Sequence, residues 1–219
     1  MIRRIVKGLQ MRAKTMWHSR LVLGGLMDGA MFALMAKRNP AQLWKCRFAR
    51  HDFLMRWGDW PAVEEVLVGE EYGIIRQCLA GRPAPLVLDI GANIGMFALY
   101  TFLHFPSAHV ESYEASASTY AVLAATRKLN PKPDWGINHA AVWRENGSVS
   151  FDTTAFSIGG RVVTTGKETV PALAFTEVLK HLPEGRIDLA KVDVEGAEEA
   201  VLADMDEAAQ ESARGNDYC

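Results

Sequence analysis

Three short stretches hold side chains able to do chemistry on a bound ligand. VLDIGANIG at 87–95 sets Asp89 against two glycines, Gly91 and Gly95, at the end of an apolar run. Such a loop lets backbone approach a ligand closely, and a helix starting there favours an anionic group. VESYEA at 110–115 carries Glu114, 25 residues after Asp89. At a strand end this carboxylate can accept hydrogen bonds from both hydroxyls of a ribose, so the expected ligand is a nucleoside. In KVDVEG at 191–196, Lys191, Asp193 and Glu195 share one strand face, with Val192 and Val194 on the other. Two acids at the end of that strand can orient an acceptor or take its proton. Each stretch also has a bland reading: glycines that only serve a turn, an ordinary strand-end glutamate, a Lys191–Asp193 ion pair with Glu195 capping the next helix.

Two ligand classes fit a glycine loop followed by a ribose-binding acid. A dinucleotide site prefers G-x-G-x-x-G, whereas GANIG lacks the middle glycine that admits a pyrophosphate. S-adenosylmethionine has no pyrophosphate, and its amino-acid end can sit over such a loop with Asp89 reaching the ammonium directly or through water. Asn93 within the loop and Ala115 after Glu114 are counted as cofactor-binding positions beside Asp89, Gly91, Gly95 and Glu114. Methyl transfer to a hydroxyl needs alignment of oxygen, carbon and sulfur and removal of the hydroxyl proton. Asp193 is the first choice for that task and Glu195 the second. The same two acids could hold Mg2+, but no further ligand cluster accompanies them, and no metal is expected.

These residues need strands and helices to hold them. The pattern over 1–60 reads as helical and is rich in Met, Leu, Ala, Lys and Arg, and a second helix is expected over 62–81, ending at Gly81. Then the period changes. PLVLDIGA reads as a strand buried on both faces, IGMFALYTFLH as a helix apolar nearly all round, and HVESYEA as a second strand. SASTYAVLAATRKLN is a helix with Ser116 near its N-cap, and GINHAAVW a third strand. SVSFDTT and RVVTTGKETVPAL form extended segments around the Ile158-Gly159-Gly160 turn, a hairpin excursion near which Ser157 and Arg161 are guesses for the acceptor side. A short helix over 176–182, a fourth strand IDLAKVDVEG and a last helix AEEAVLADMDEAAQE complete the alternation. The fold class is α/β, a doubly wound, Rossmann-like parallel sheet whose ligand lies outside the carboxyl ends of the strands.

The chain has 219 residues, 49% hydrophobic and 23% charged, as expected of a soluble protein with one main domain. Its three cysteines, Cys46, Cys78 and Cys219, are too few and too scattered for a disulfide framework or a four-ligand zinc site, and fit a reducing cytoplasm. The net charge of −2 hides an asymmetry: residues 1–58 hold twelve Lys or Arg against Asp28 and Asp52, a balance of +10 that leaves −12 on the remainder. This basic arm is either a solvated helix face or a surface for an anionic membrane or acidic partner, with peripheral membrane contact through 1–20. The segment at 21–36 has 16 residues, Asp28 and three glycines, short of the ~20 apolar residues of a membrane span; nor does it read as a signal peptide. No nucleic-acid motif accompanies the arm.

VLDIGANIGMFALY, VESYEASASTYAVLAAT, NHAAVW and IDLAKVDVEGAEEAVL together resemble successive motifs of the FkbM-type S-adenosylmethionine-dependent methyltransferases, a branch of the class I fold. RWGDWPAVEEVLVGEEYG is similar to the segment that precedes the first strand there, and the resemblance covers about 56–205. It implies S-adenosylmethionine as cofactor and O-methylation of a small-molecule hydroxyl acceptor, a sugar or a secondary metabolite. It also implies that Asn138, Ala140 and Ala141 pack around the purine and that Tyr72 closes over the cofactor or serves as a core aromatic; His139 is a rival base by chemical type, but its position favours a structural role. Organised this way, 1–60 is a helical extension, 61–207 the methyltransferase domain and 208–219 a polar tail. A full class I sheet has seven strands, and no apolar run follows the fourth here. The expectation is an incomplete sheet with an open edge that a partner chain would cover. The alternatives are an inactive cofactor-binding remnant or a membrane-associated scaffold that uses the basic arm.

Overall fold

The computed structural model describes residues 32, 38–152, 161–163, 168–183, 186–194 and 201. The first two strands, β1 (Trp44–Phe48) and β2 (His51–Met55), form an antiparallel hairpin paired from Trp44↔Met55 to Phe48↔His51. This corrects the helix expected through residue 60. WKCRF and HDFLM alternate, and in β2 His51, Phe53 and Met55 are buried while Asp52 and Leu54 are not, a period of two that the basic composition masked. The hairpin is docked on the main body: Leu54 N donates to Thr126 Oγ1 at 3.1 Å and Asn130 Nδ2 to Asp52 O at 2.6 Å.

Two short helices follow. A turn at Trp60–Val63 (α1) has Pro61 in its first turn, where a missing N–H costs nothing, and runs on as a π-helical turn over Glu64–Val68. The next is α2 (Ile75–Cys78). The single helix expected over 62–81 is therefore broken. Gly69 N donates to Glu64 O at 2.8 Å and Glu70 adopts a left-handed φ of 50°. A Cβ at Gly69 would lie 2.9 Å from Glu65 O, so this wide turn needs the glycine. Gly81, at φ 78°, ends the segment where expected.

The central sheet is parallel, built from β3 (Leu86–Ile90), β4 (His109–Glu114), β5 (Asp134–His139) and a later strand, β10 (Leu189–Val192), in the order β10-β3-β4-β5. Every residue of β3 is buried, as its unbroken apolar run requires. Helix α3 (Met96–His104) connects β3 to β4 and is buried from Met96 through Phe102. Helix α4 (Ala117–Leu129) connects β4 to β5; Ser116 is its N-cap, accepting from Thr119 N at 3.4 Å.

After β5 the chain bends at Ala140 and leaves the central sheet. The single strand expected for GINHAAVW is two: β6 (Ala141–Trp143) pairs with distant residues instead. With β7 (Gly147–Asp152), β8 (Arg161–Val163) and β9 (Glu168–Ala174) it makes a second sheet, ordered β6-β9-β7-β8. The excursion is larger than a hairpin because β9 pairs antiparallel with β7 and parallel with β6. Helix α5 (Phe175–Lys180) then leads back to β10.

Strands β4 and β5 lie successively to one side of β3, and β10 returns to its other side, so the strand order reverses between β3 and β10. A crevice opens at the carboxyl ends on such a reversal. One apolar core packs Val87 and Val110 against α3, α4 and the hairpin; another packs Leu88, Ile90 and Tyr113 against Phe175 and Val178.

Candidate functional site

The end of β3 turns sharply into α3. Gly91 and Gly95 have φ of 78° and 94°, and Asn93 lies between them at 52°, all in the left-handed region. Gly91 and Ala92 both donate from their backbone N–H to Tyr113 O, at 3.0 and 2.9 Å. A Cβ on Gly91 would sit 2.0 Å from Asp193 O, and one on Gly95 2.7 Å from Trp135. The first glycine is required by the close approach of β10, the second by packing of the helix start.

Glu114 closes this loop from the end of β4. Its Oε2 accepts from Asn93 N at 2.9 Å and its Oε1 from Ser116 N at 2.8 Å. One carboxylate thus fixes the glycine loop and the start of α4 together. Burial pushes its carboxyl up, opposed by those two N–H groups and by Lys191. Each oxygen keeps a second lone pair for a further donor. Beside it, Asn93 Oδ1 is buried and has no hydrogen bond among the described residues.

Asp89 lies lower than its motif suggests. Its side chain is 0% exposed, with Ser112 Oγ donating to Oδ2 at 3.2 Å. Its Oδ1 makes no hydrogen bond of good geometry and faces Lys191 Nζ at 3.3 Å. Burial pushes the carboxyl up, with Lys191 and Ser112 acting against the shift. Direct reach to a ligand ammonium is not what this geometry offers: Asp89 holds the floor of the loop.

Asp193 follows β10 and is the exposed acid of the group, 62% open at its side chain. Tyr72 donates its hydroxyl to Asp193 Oδ2 at 3.4 Å, and Lys191 Nζ stands 3.4 Å from the same oxygen. The Tyr72 ring packs edge-on to Phe97, centroids 4.9 Å apart. Burial first, then the charges of Asp193 and Glu71, push the Tyr72 phenol up, so it remains a donor. Glu65 is also raised, by burial and then by Glu71, Asp193 and Glu64. The rim is rich in carboxylates, which suits a ligand carrying positive charge.

The sequence matches the Methyltransferase FkbM domain over residues 89–214, more than half of the chain. The chain belongs to the FkbM methyltransferase family. Among curated proteins it is 30% identical over 166 residues to Methyltransferase sdnD of Sordaria araneosa, covering 59% of this chain and 64% of the relative. It is 24% identical over 160 residues to Methyltransferase 1 of Beauveria bassiana, covering 61% and 64%. With 31-O-demethyl-FK506 methyltransferase FkbM of Streptomyces tacrolimicus it shares 26% over 161 residues, covering 58% and 62%. The chain thus spans less than two thirds of the length of these relatives. No solved structure matches it.

In this member of the FkbM family the structure gathers Gly91, Asn93, Gly95, Glu114, Tyr72 and Asp193 at the carboxyl ends of β3, β4 and β10. Asn138 and Ala140 are not brought there. Asn138 Nδ2 donates to Glu111 Oε1, and Ala140 packs with Leu88, Ile90 and Tyr113, on the face of the sheet opposite Glu114. His139 instead stands in register with Glu114 and so shares its face. Its ring stacks on Tyr120 at 4.9 Å and 20°, and its Nε2 lies 3.1 Å from Ala115 O. The flat His139–Tyr120 pair beside Glu114 is a feature that strand alternation alone does not give, because it depends on the register between β4 and β5. Ala115 belongs to the site through its carbonyl, while its side chain packs towards Ala141 and Val170. Glu195 and Ser157 lie outside the described residues, as does the arm over 1–20, and Arg161 is described in its backbone alone. Among the described residues no three His, Cys, Asp or Glu side chains could share a metal ion, and no helix is long and apolar enough to cross a membrane.

Proposed function

We propose that this chain uses S-adenosylmethionine to methylate a hydroxyl oxygen of a small acceptor, a sugar or a secondary metabolite. The observation that carries it is Glu114: a strand-end carboxylate clamping the glycine loop by Asn93 N and the next helix by Ser116 N, with lone pairs left for a ribose. The residues present fit that cofactor in two further ways. The buried Asn93 Oδ1 awaits a donor, and the acidic rim favours a ligand that carries a sulfonium and an ammonium over one that carries a pyrophosphate. One relative is by name a methyltransferase of 31-O-demethyl-FK506, which supports oxygen as the acceptor atom.

When bound, the cofactor supplies an electrophilic methyl group on sulfur. The chain's own part is to align the acceptor and take its proton. Asp193 is assigned that role. Tyr72 and Lys191 both meet its Oδ2, so Oδ1 is given to the acceptor hydroxyl, whose proton it would accept as that oxygen takes up the methyl group. Glu195, two residues on, is kept as the second acid.

Titration of the purified chain with S-adenosylhomocysteine by calorimetry tests the cofactor. Micromolar binding is expected, weakened about tenfold by Glu114→Ala, or about 1.4 kcal/mol. A folded, monodisperse sample that binds nothing would remove the proposal.

A further inference from the structure

The proposed chemistry uses Lys191 only at Asp193, yet most of its contacts lie elsewhere. The Lys191 side chain is only 9% exposed, and its ammonium meets oxygens of three residues, two at the end of β3 and one just after β10. It donates to Gly91 O at 2.6 Å, faces Asp89 Oδ1 at 3.3 Å and stands 3.4 Å from Asp193 Oδ2. An ammonium has three donors, so one side chain can serve the glycine loop, the floor beneath it and the acid at the acceptor side.

Neutralising Asp89 would explain the salt bridge alone. It would not explain why the shortest contact, and the one hydrogen bond of good geometry, goes to the uncharged carbonyl of Gly91. That carbonyl belongs to a residue at φ 78° whose N–H is held on Tyr113 O. The peptide on each side of this left-handed position is thereby tied down, by β4 on one side and by β10 on the other. Buried ion pairs are often no more stable than apolar replacements, so a lysine retained here is better explained by placement than by stability.

We infer that Lys191 is a positioning residue that sets the glycine loop for the cofactor through Gly91 O, beyond neutralising Asp89. This rests on the methyltransferase proposal. The test compares the full chain with Asp89→Asn, Lys191→Met and the double variant, reading melting temperature and S-adenosylhomocysteine affinity. Lys191→Met alone is expected to melt lower, because it strands a buried carboxylate; the double variant removes both charges and recovers most of that loss. Measured against Asp89→Asn, the double variant should still bind S-adenosylhomocysteine about tenfold more weakly. Equal affinity of the two would overturn the inference and leave Lys191 as a counter-ion to Asp89. Lys191→Arg keeps the charge but replaces a compact ammonium by a planar fork. It should melt near wild type yet bind more weakly, and unchanged affinity there would equally overturn the inference. A folded wild-type chain that binds no S-adenosylhomocysteine would instead remove the methyltransferase proposal, and this inference with it.

Discussion

Asp89, Glu114 and Asp193 are three carboxylates within one crevice, and their surroundings give them different work. Asp89 is sealed under the loop with Ser112 and Lys191. Glu114 is buried and clasped by two backbone N–H groups, so it holds loop and helix together while each oxygen keeps a lone pair for a ligand. Asp193 alone is open to an incoming acceptor. Asp193→Asn keeps the shape and removes the base, so methyl transfer should fall by at least about 10²-fold. Affinity for S-adenosylhomocysteine should stay within about twofold of wild type. Labelled methyl transfer into a panel of hydroxylated small molecules, read beside calorimetry, checks both halves; a variant as active as wild type would move the base elsewhere, with Glu195 next in line.

At the scale of elements, the site depends on how closely β10 runs beside the turn after β3. Gly91 is the point of contact, because a Cβ there would lie 2.0 Å from Asp193 O, in a backbone conformation that costs an L-residue about 1–2 kcal/mol. Gly91→Ala is therefore expected to cost more than that dihedral term and to displace Asp193, lowering both the melting temperature and cofactor affinity. Thermal melts with and without S-adenosylhomocysteine would show it. A substitution with neither effect would mean that β10 and the loop stand further apart. The hairpin β1–β2 acts on the same framework, since it is hydrogen-bonded to Thr126 of α4 and to Asn130 at the helix's C-cap, and the N-cap of α4, Ser116, is the residue that Glu114 holds.

For the whole molecule, two sets of carboxyls make stability depend on pH in opposite senses. The Arg47 hydrogen bond, followed by Lys45, holds Asp52 at about 2 against an ordinary 3.8. Asp188 is likewise lowered, chiefly by the Leu86 N–H and then by Arg186 and Arg82. A folded-state value below the unfolded one contributes stability that is present above the unfolded value and lost as pH falls through the folded one. Asp89 and Glu114 are raised by burial, so they bind protons in the folded state first and return stability as the medium turns acid. The net expectation is a loss between pH about 4 and about 2 that follows the lowered carboxyls, Asp52 and Asp188 together with Glu177 on its Lys180 hydrogen bond. Denaturation curves over that window should be flatter for Asp52→Asn than for wild type. An identical slope would show that the exposed Arg47–Asp52 pair contributes nothing in solution.

Much of this was legible from residues close together in the chain. The apolar run of β3, the switch to helical period after Gly95, the Ser116 cap and the acid at 114 are local signals, and they located the crevice and its family. Local pattern also stated correctly that Lys191 and Asp193 share a face. It could not state what lies across from that face, because Lys191 and Gly91 are 100 residues apart. For the same reason local pattern does not say which of Asn138 and His139 meets Glu114: alternation says that neighbours point opposite ways, and only the register with β4 says which one does. The hairpin within 44–55 and the departure of β6 from the central sheet belong to the same class. Their strands are chosen by partners and by burial against α4 or β9, so the amino-acid sequence determined the periods and the chemistry, while tertiary pairing decided which faces they turned to the site.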